Sequence, residues 1–243
     1  MKVRNKYATM TDGTRIHYQT LGHGEPLILL HGNGGSLNYF KYQFVPLAKH
    51  FRVIALDSRG HGKSNNLASS LSFQLMASDL ATVMALENIQ QADILGFSDG
   101  ANYALVFTKM YPEKVRKLVL NAGNTTFFGL RFTARIVSYL EYAAVKMASI
   151  FSKKAQQFLP VAGLLLHDIG VSTQDLKKIQ QPALVIVGKH DLIKLSHSLY
   201  LTDTLPHSSL VLVPKQGHTV ARKDADNFNQ LVLQFLMEKQ VTQ

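Results

Sequence analysis

Four apolar residues in a row, Leu27-Ile28-Leu29-Leu30, follow the turn Gly22-His23-Gly24-Glu25-Pro26. Such a run reads as a strand buried on both faces. Similar short runs recur: Phe51 to Leu56, Ala92 to Leu95, Lys117 to Asn121, Pro182 to Gly188 and Ser209 to Val213 each predict a buried strand. Between them the apolar spacing changes. Leu71, Leu75, Leu80, Val83 and Met84 recur at helical intervals and predict an amphipathic helix over 71–87. Segments 37–50, 101–107, 193–204 and about 224–239 predict further helices. Near the start, Thr14 to Thr20 alternates after Asp12-Gly13 and predicts an edge strand. Strands alternating with helices imply an α/β fold, a mostly parallel twisted sheet with helices on both faces.

The alternation stops between residues 124 and 179. Phe127, Phe128, Leu130, Phe132, Ile136, Val137 and Leu140 open a series of apolar residues on helical stretches. The segment is too long for a loop inside a compact domain. It predicts an inserted helical cap at 124–179 on a core formed by 1–123 and 180–243. A cap over the sheet would line a substrate pocket with part of its apolar face. Phe127 and Phe128 are placed among those substrate contacts.

One turn stands out. Gly96-Phe97-Ser98-Asp99-Gly100 sits between a predicted strand and a predicted helix with small residues near its start. Strand, Gly-x-Ser-x-Gly, helix is the pattern of a nucleophile elbow. The turn is too sharp for ordinary backbone angles, and the two glycines remove side chains that would collide across it. The following helix aims its free N–H groups and positive dipole end at the serine, where negative charge develops in acyl transfer.

A second glycine-rich loop, His31-Gly32-Asn33-Gly34-Gly35-Ser36, follows the first buried strand. It lacks the Lys-Ser/Thr ending of a phosphate loop and the glycine spacing of a dinucleotide site. The favoured reading is a loop that donates the Asn33 backbone N–H to an oxyanion. His31 reads as a residue that ties this loop down. Asp57, Arg59 and His61, in Asp57-Ser58-Arg59-Gly60-His61-Gly62-Lys63-Ser64, read as a local network, because Asp and Ser bond backbone readily in turns. Asp93 reads as holding a neighbouring loop, His190 as a loop residue, and His167, His197 and His207 as surface residues.

In a parallel sheet the working groups gather beyond the carboxyl ends of the strands. Asn33, Ser98, Asp191, His218 and Asp57 meet that condition. Ser98, Asp191 and His218 follow the chain order Ser…Asp…His. With these pieces the chain resembles the α/β-hydrolases over nearly its whole length. The resemblance rests on His31-Gly32-Asn33-Gly34-Gly35, the 57–64 loop, the elbow, Gly188-Lys189-His190-Asp191 and Gln216-Gly217-His218. It implies a triad of Ser98, His218 and Asp191. The family places its acid after either of two strands, and the earlier position here ends in Asn121, which leaves Asp191. The backbone N–H groups of Asn33 and Asp99 are the implied oxyanion donors. The Ser-Asp-Gly elbow is similar to that of the biphenyl-hydrolase-like (valacyclovir hydrolase) group, with Phe97 and Ala101 as departures. In that light the Asp99 side chain is either a favourable acid at a helix start or a contact for a cationic substrate group.

Composition narrows the function classes. Hydrophobic residues make up 46% and charged residues 17% of the 243, enough apolar material for a sizeable core. There is no cysteine, which excludes disulfides and cysteine-based metal sites. The formal net charge is +10, but Lys and Arg are scattered and no aromatic-interleaved basic motif accompanies them. No nucleic-acid partner is therefore expected. The start of the chain lacks the apolar stretch of a signal peptide, and no apolar run is long enough for a membrane span. The expectation is a cytoplasmic enzyme with no cofactor and no metal. It is a serine hydrolase of small to medium carboxylic esters working through an acyl-serine. Carbon–carbon bond cleavage, perhydrolysis on the same triad, or a catalytically silent ligand-binding protein are the alternatives.

Overall fold

Alternation along each inner strand sends side chains to two separate cores. Leu27 and Leu29 face one side and Ile28 and Leu30 the other, all four fully buried. Each such side chain contributes about 1.5–3 kcal/mol when removed from water. The structure, a computed structural model, describes residues 2–238. Met1 and the expected end of the last helix at Lys239 lie outside the described residues.

The elements run β1 (Arg4–Thr9), β2 (Arg15–Leu21), β3 (Pro26–Leu30), α1 (Phe44–Ala48), β4 (Arg52–Leu56), α2 (Phe73–Leu86), β5 (Ala92–Phe97), α3 (Asp99–Met110) and β6 (Val115–Asn121). Then come α4 (Phe132–Ser149), α5 (Lys153–Leu164), α6 (Thr173–Lys178), β7 (Ala183–Gly188), α7 (Leu195–Thr204), β8 (Ser208–Val213), α8 (Val220–Lys223) and α9 (Ala225–Met237). Among the described residues, eight strands form one sheet in the order β1-β2-β4-β3-β5-β6-β7-β8. β2 is antiparallel to both β1 and β4, and the strands from β3 onward pair in parallel. Residues of α2, α3, α6 and α7 share one core, and those of α1, α8 and α9 share the other. This is the α/β-hydrolase fold. Among the described residues, no helix is long and apolar enough to cross a membrane.

Two expectations are corrected. The Thr14–Thr20 strand is not the edge, because β1 pairs along it from Arg4↔Thr20 to Thr9↔Arg15. The sequence of β1, Arg-Asn-Lys-Tyr-Ala-Thr, is largely exposed and polar, as suits an edge that must not recruit another strand. The helix expected over 37–50 is a 3-10 turn at Leu37–Phe40 followed by the short α1. Pro46 has no N–H and its ring excludes the carbonyl four residues earlier, so it sits in the first turn of α1 and a helix running on unbroken from Leu37 is interrupted ahead of it. The carbonyl in question, that of Tyr42, instead accepts from Asn229 Nδ2 at 2.9 Å.

The segment between β6 and β7 holds α4, α5 and α6. Its two stems are stitched together where Phe127 N donates to Asp168 Oδ1 (2.7 Å) and Ile169 N to Thr125 O (3.1 Å). Arg131 N donates to Leu192 O (2.8 Å) and Lys194 N to Gly129 O (2.9 Å), tying α4 to the loop after β7. Ser152 caps α5, and Ser172 with Asp175 forms a capping box on α6, which packs on α3 and α7.

Candidate active site

Ser98 stands at φ 53°, ψ −121°, between β5 and α3. A side chain at positive φ is strained, and the surroundings hold it there. Ser98 N donates to Asn121 O of β6 (2.8 Å), and Ser98 O accepts from Ala101 N (2.8 Å) and Asn102 N (3.1 Å). The elbow glycines have no room for a side chain. A Cβ on Gly96 would strike the Gly100 carbonyl, and one on Gly100 would strike the Leu30 carbonyl. A serine at a helix start ordinarily caps it, but the Ser98 hydroxyl makes no capping bond. It turns instead to His218 Nε2 at 3.0 Å.

His218 lies in the loop after β8 and Asp191 in the loop after β7. His218 Nδ1 is 2.7 Å from Asp191 Oδ1, which also accepts from Ile193 N at 3.0 Å. With Asp191 accepting, Nδ1 carries the imidazole proton, and Nε2 is left to accept from the Ser98 hydroxyl. Asp191 is buried, and the His218 side chain is only 18% exposed. The two loops are held in register by His190 N donating to Gln216 O at 2.8 Å. Phe97 packs against the His218 ring with centroids 4.9 Å apart, and Tyr39 stacks on Phe97 at 4.0 Å. Phe97, a departure at sequence level, thus supports the imidazole. A Cβ on Gly32 would press on the Phe97 ring and on Ser98 Cβ, both at 3.1 Å, so the glycine-rich loop must run bare past the elbow.

Asn33 and Asp99 both line the cavity that holds Ser98. Among the described residues, neither backbone N–H has a backbone acceptor outside its own element. The Asn33 side chain fixes its loop by donating to Asp99 Oδ2 (2.9 Å) and to Val161 O of α5 (2.8 Å). Asp99 Oδ1 accepts from Asn102 Nδ2 (3.0 Å), and Asn102 Oδ1 accepts from Asn124 N (2.7 Å). Burial pushes the Asp99 carboxyl above the usual carboxylate range, and the Asn33 and Asn102 amides oppose that shift. The Asp99 side chain is therefore part of the wall, with an amide on each oxygen, rather than an open acid.

The residues read as scaffolding behave as such. His31 Nδ1 donates to Gly32 O (2.8 Å) and its Nε2 accepts from Ser58 N (3.0 Å). Burial first, and then the neighbouring His61, push the His31 pKa down to about 4. Asp57 accepts from Leu37 N (2.8 Å) and Lys63 N (2.9 Å) and meets His17 Nδ1 at 2.8 Å. Arg59 is buried and pairs with both oxygens of Asp79 at 2.7 Å. Asp93 is paired by Arg116 of β6, which also reaches Glu25. His197 is corrected. It is half-buried, with burial pushing its pKa down, and its Nε2 accepts from Thr125 N at 3.0 Å.

The cavity over Ser98 measures about 560 Å³. Phe127 and Phe128, expected as substrate contacts, do not line it. Phe127 is buried against Tyr139, and Phe128 points outward beneath Arg135. The inner face of α4 takes their place with Thr133, Ala134, Val137, Ser138 and Glu141. Small residues at 134 and 138 were the signal, since they share a helix face one turn apart. Sequence reasoning also missed Tyr39, Asn102, Asn124 and Arg222, which carry no local motif. Arg222 borders the cavity with its guanidinium 5.8 Å from the Tyr39 ring centre. Among the described residues it joins no ion pair.

Comparison with known proteins agrees with the fold. Residues 25–140 match the family described as alpha/beta hydrolase fold. A mouse protein named serine hydrolase BPHL is 29% identical, over 93% of this chain and 84% of that one. A 2-hydroxy-6-oxononadienedioate/2-hydroxy-6-oxononatrienedioate hydrolase from Burkholderia vietnamiensis is also 29% identical, over 96% of this chain and 95% of its own length. Among solved structures, an alpha/beta hydrolase enzyme from a Medee basin deep-sea metagenome library, MGS-M2, superposes with a TM-score of 0.86 at 19% identity, covering 98% of this chain and 99% of that one. The meta-cleavage product hydrolase of Pseudomonas fluorescens IP01 gives a TM-score of 0.81 at 24% identity, covering 96% of this chain and 97% of that one.

Proposed function

We propose that this chain, which has the α/β-hydrolase fold, is an enzyme that cleaves small to medium carboxylic esters through an acyl-Ser98 intermediate. The observation that carries the reading is the line Ser98 Oγ, His218 Nε2, His218 Nδ1, Asp191 Oδ1, at 3.0 and 2.7 Å. A serine hydroxyl is a weak nucleophile at neutral pH until a base accepts its proton. In the proposed reaction Ser98 Oγ bonds to the ester carbonyl carbon while its proton passes to His218 Nε2. The carbonyl oxygen becomes an oxyanion held by the N–H groups of Asn33 and Asp99, at the positive end of α3. The carbon–oxygen bond to the leaving alcohol then breaks, and His218 returns the proton to that oxygen. A water gives its proton to His218 and its oxygen to the acyl carbon, releasing the acid and restoring Ser98. Asp191 keeps the proton on Nδ1 and stabilises the imidazolium in both halves. In this reading the segment 124–179 acts as the cap over a core of 1–123 and 180–243, and the inner face of α4 receives the acyl chain.

A second reading is carbon–carbon bond hydrolysis on the same triad. Arg222 favours it, because a guanidinium that borders the cavity and has no acid partner among the described residues suits a carboxylate-bearing substrate of the kind named for the Burkholderia relative. The deciding experiment measures kcat/KM for p-nitrophenyl esters of increasing chain length beside a 2-hydroxy-6-oxo-dienoate. Ester turnover with a chain-length optimum, lost in Ser98→Ala, is the expected result. Turnover of the dienoate alone, weakened in Arg222→Gln, would replace the ester reading with the second one.

A further inference from the structure

The outer face of α4 is unlike that of a helix facing water. Phe132, Ile136, Leu140, Ala143 and Met147 recur every three or four residues along one stripe, and Ile150 continues it. Leu140 and Met147 are each 64% exposed, and Phe128 and Phe151 extend the patch at its two ends. The stripe runs about 27 Å along an 18-residue helix. Soluble proteins seldom leave a contiguous apolar surface of this length uncovered.

The charges around it have one sign. Between Asn124 and Ser172 the cations are Arg131, Arg135, Lys146, Lys153 and Lys154, and the acids are Glu141 and Asp168. Glu141 borders the cavity, and Asp168 is engaged by the Phe127 amide at the base of the segment. Among the described residues, none of the five cations joins an ion pair. Arg135 lies over the Phe128 and Phe132 rings, 4.9 and 5.5 Å from their centres, so apolar surface and positive charge belong to one patch.

We propose that this face docks on an anionic phospholipid bilayer, with the apolar stripe of α4 lying in the headgroup boundary and the cations that flank it, Arg135 and Lys146 on α4 itself, on lipid phosphates. A helix with exposed Phe, Leu and Ile flanked by Lys and Arg has the features of an interfacial anchor. A second copy of the chain meets the stripe less well, because twofold pairing sets cations against cations. The formal net charge of +10 attracts the whole molecule to an anionic surface. The opposite face of α4 lines the cavity, and Val137 borders the cavity while 60% exposed. Docking therefore places α4 between the lipid and the cavity, with Val137 on the flank that joins its two faces.

The test is binding of the full chain to phosphatidylglycerol-containing vesicles and to phosphatidylcholine vesicles, at low and high salt. Since the chain has no tryptophan, Phe132→Trp supplies a single fluorescent reporter within the stripe. The expected result is a blue shift on the anionic vesicles, binding at least about ten-fold weaker on phosphatidylcholine, and weakening by salt. Leu140→Glu with Met147→Glu loses at least about ten-fold in binding. These exposed positions leave the thermal unfolding transition in place, which separates lost docking from lost folding. No binding, equal binding to both vesicle types, or binding unaffected by the two glutamates would overturn the proposal. So would a dimer in light scattering that the same glutamates dissociate and that excludes vesicle binding. The readout needs no turnover, so it stands or falls apart from the ester reading.

Discussion

His31 makes the fold acid-sensitive at the loop that carries Asn33. The imidazole is fully committed as a neutral ring, donating from Nδ1 to Gly32 O and accepting at Nε2 from Ser58 N. A second proton would destroy the acceptor and set a charge against the Ser58 amide in a dry site. Burial and His61 accordingly hold its pKa at about 4, against 6.5 for the free side chain. The folded chain takes this proton only below about pH 4, whereas the unfolded chain takes it below 6.5. Acid therefore favours unfolding across that window, and stability rises with pH through it. At about 1.4 kcal/mol per pH unit, moving from neutral pH to about 4.5 removes roughly 2–3 kcal/mol. His61, also pushed down by burial, adds in the same direction. The assay is urea unfolding from pH 7.5 to 4.5 on the wild type and on His31→Gln, whose amide can donate and accept without titrating. The variant is less stable at neutral pH, but its loss on acidification is smaller than that of wild type by about 2 kcal/mol. Parallel curves, within about 0.5 kcal/mol, would refute the assignment of a buried neutral His31.

Three further outcomes follow from single contacts. Asn33→Ala removes the bonds to Asp99 and Val161 O and leaves a buried carboxyl one donor short; it lowers stability by about 1–3 kcal/mol in chemical denaturation and lowers kcat more than it raises KM. Asp79→Ala strips the buried Arg59 of its two-bond partner, costs about 3–5 kcal/mol, and lowers the melting temperature by about 10 °C in calorimetry. Gly100→Ala forces a Cβ into the Leu30 carbonyl, and the variant is recovered unfolded or with a sharply lowered melting transition in circular dichroism.

The inner strands were legible because burial on both faces turns them into unbroken apolar runs, as in Leu27–Leu30 and Ala183–Val187. β1 was not, since its polar exposed sequence carries no burial signal and its strand exists only through pairing with β2. The elbow and the loops holding Asp191 and His218 were legible for a different reason. Glycines and polar residues interrupt apolar runs only where the backbone must turn, and in a parallel sheet those turns converge at one end. The pocket wall was not legible. Tyr39 and Arg222 reach the cavity from elements 183 positions apart, a proximity that no local pattern records. Phe127 and Phe128 misled because apolar side chains at helical spacing fit a pocket, a core or an exposed face equally well. In α4 the cavity takes Thr133, Ala134, Ser138 and Glu141 with Val137 at their flank, while Phe132, Leu140 and Met147 turn out.

The most direct test of Ser98 as the nucleophile is the intact mass after exposure to a fluorophosphonate. Wild type gains a single phosphonyl group, located on Ser98 by peptide mass, while Ser98→Ala gains none. Asp191→Asn labels about 10³–10⁴ times more slowly, because the imidazole no longer holds its proton on Nδ1. Folded wild type that remains unlabelled, or a label carried elsewhere, would contradict acyl transfer through Ser98.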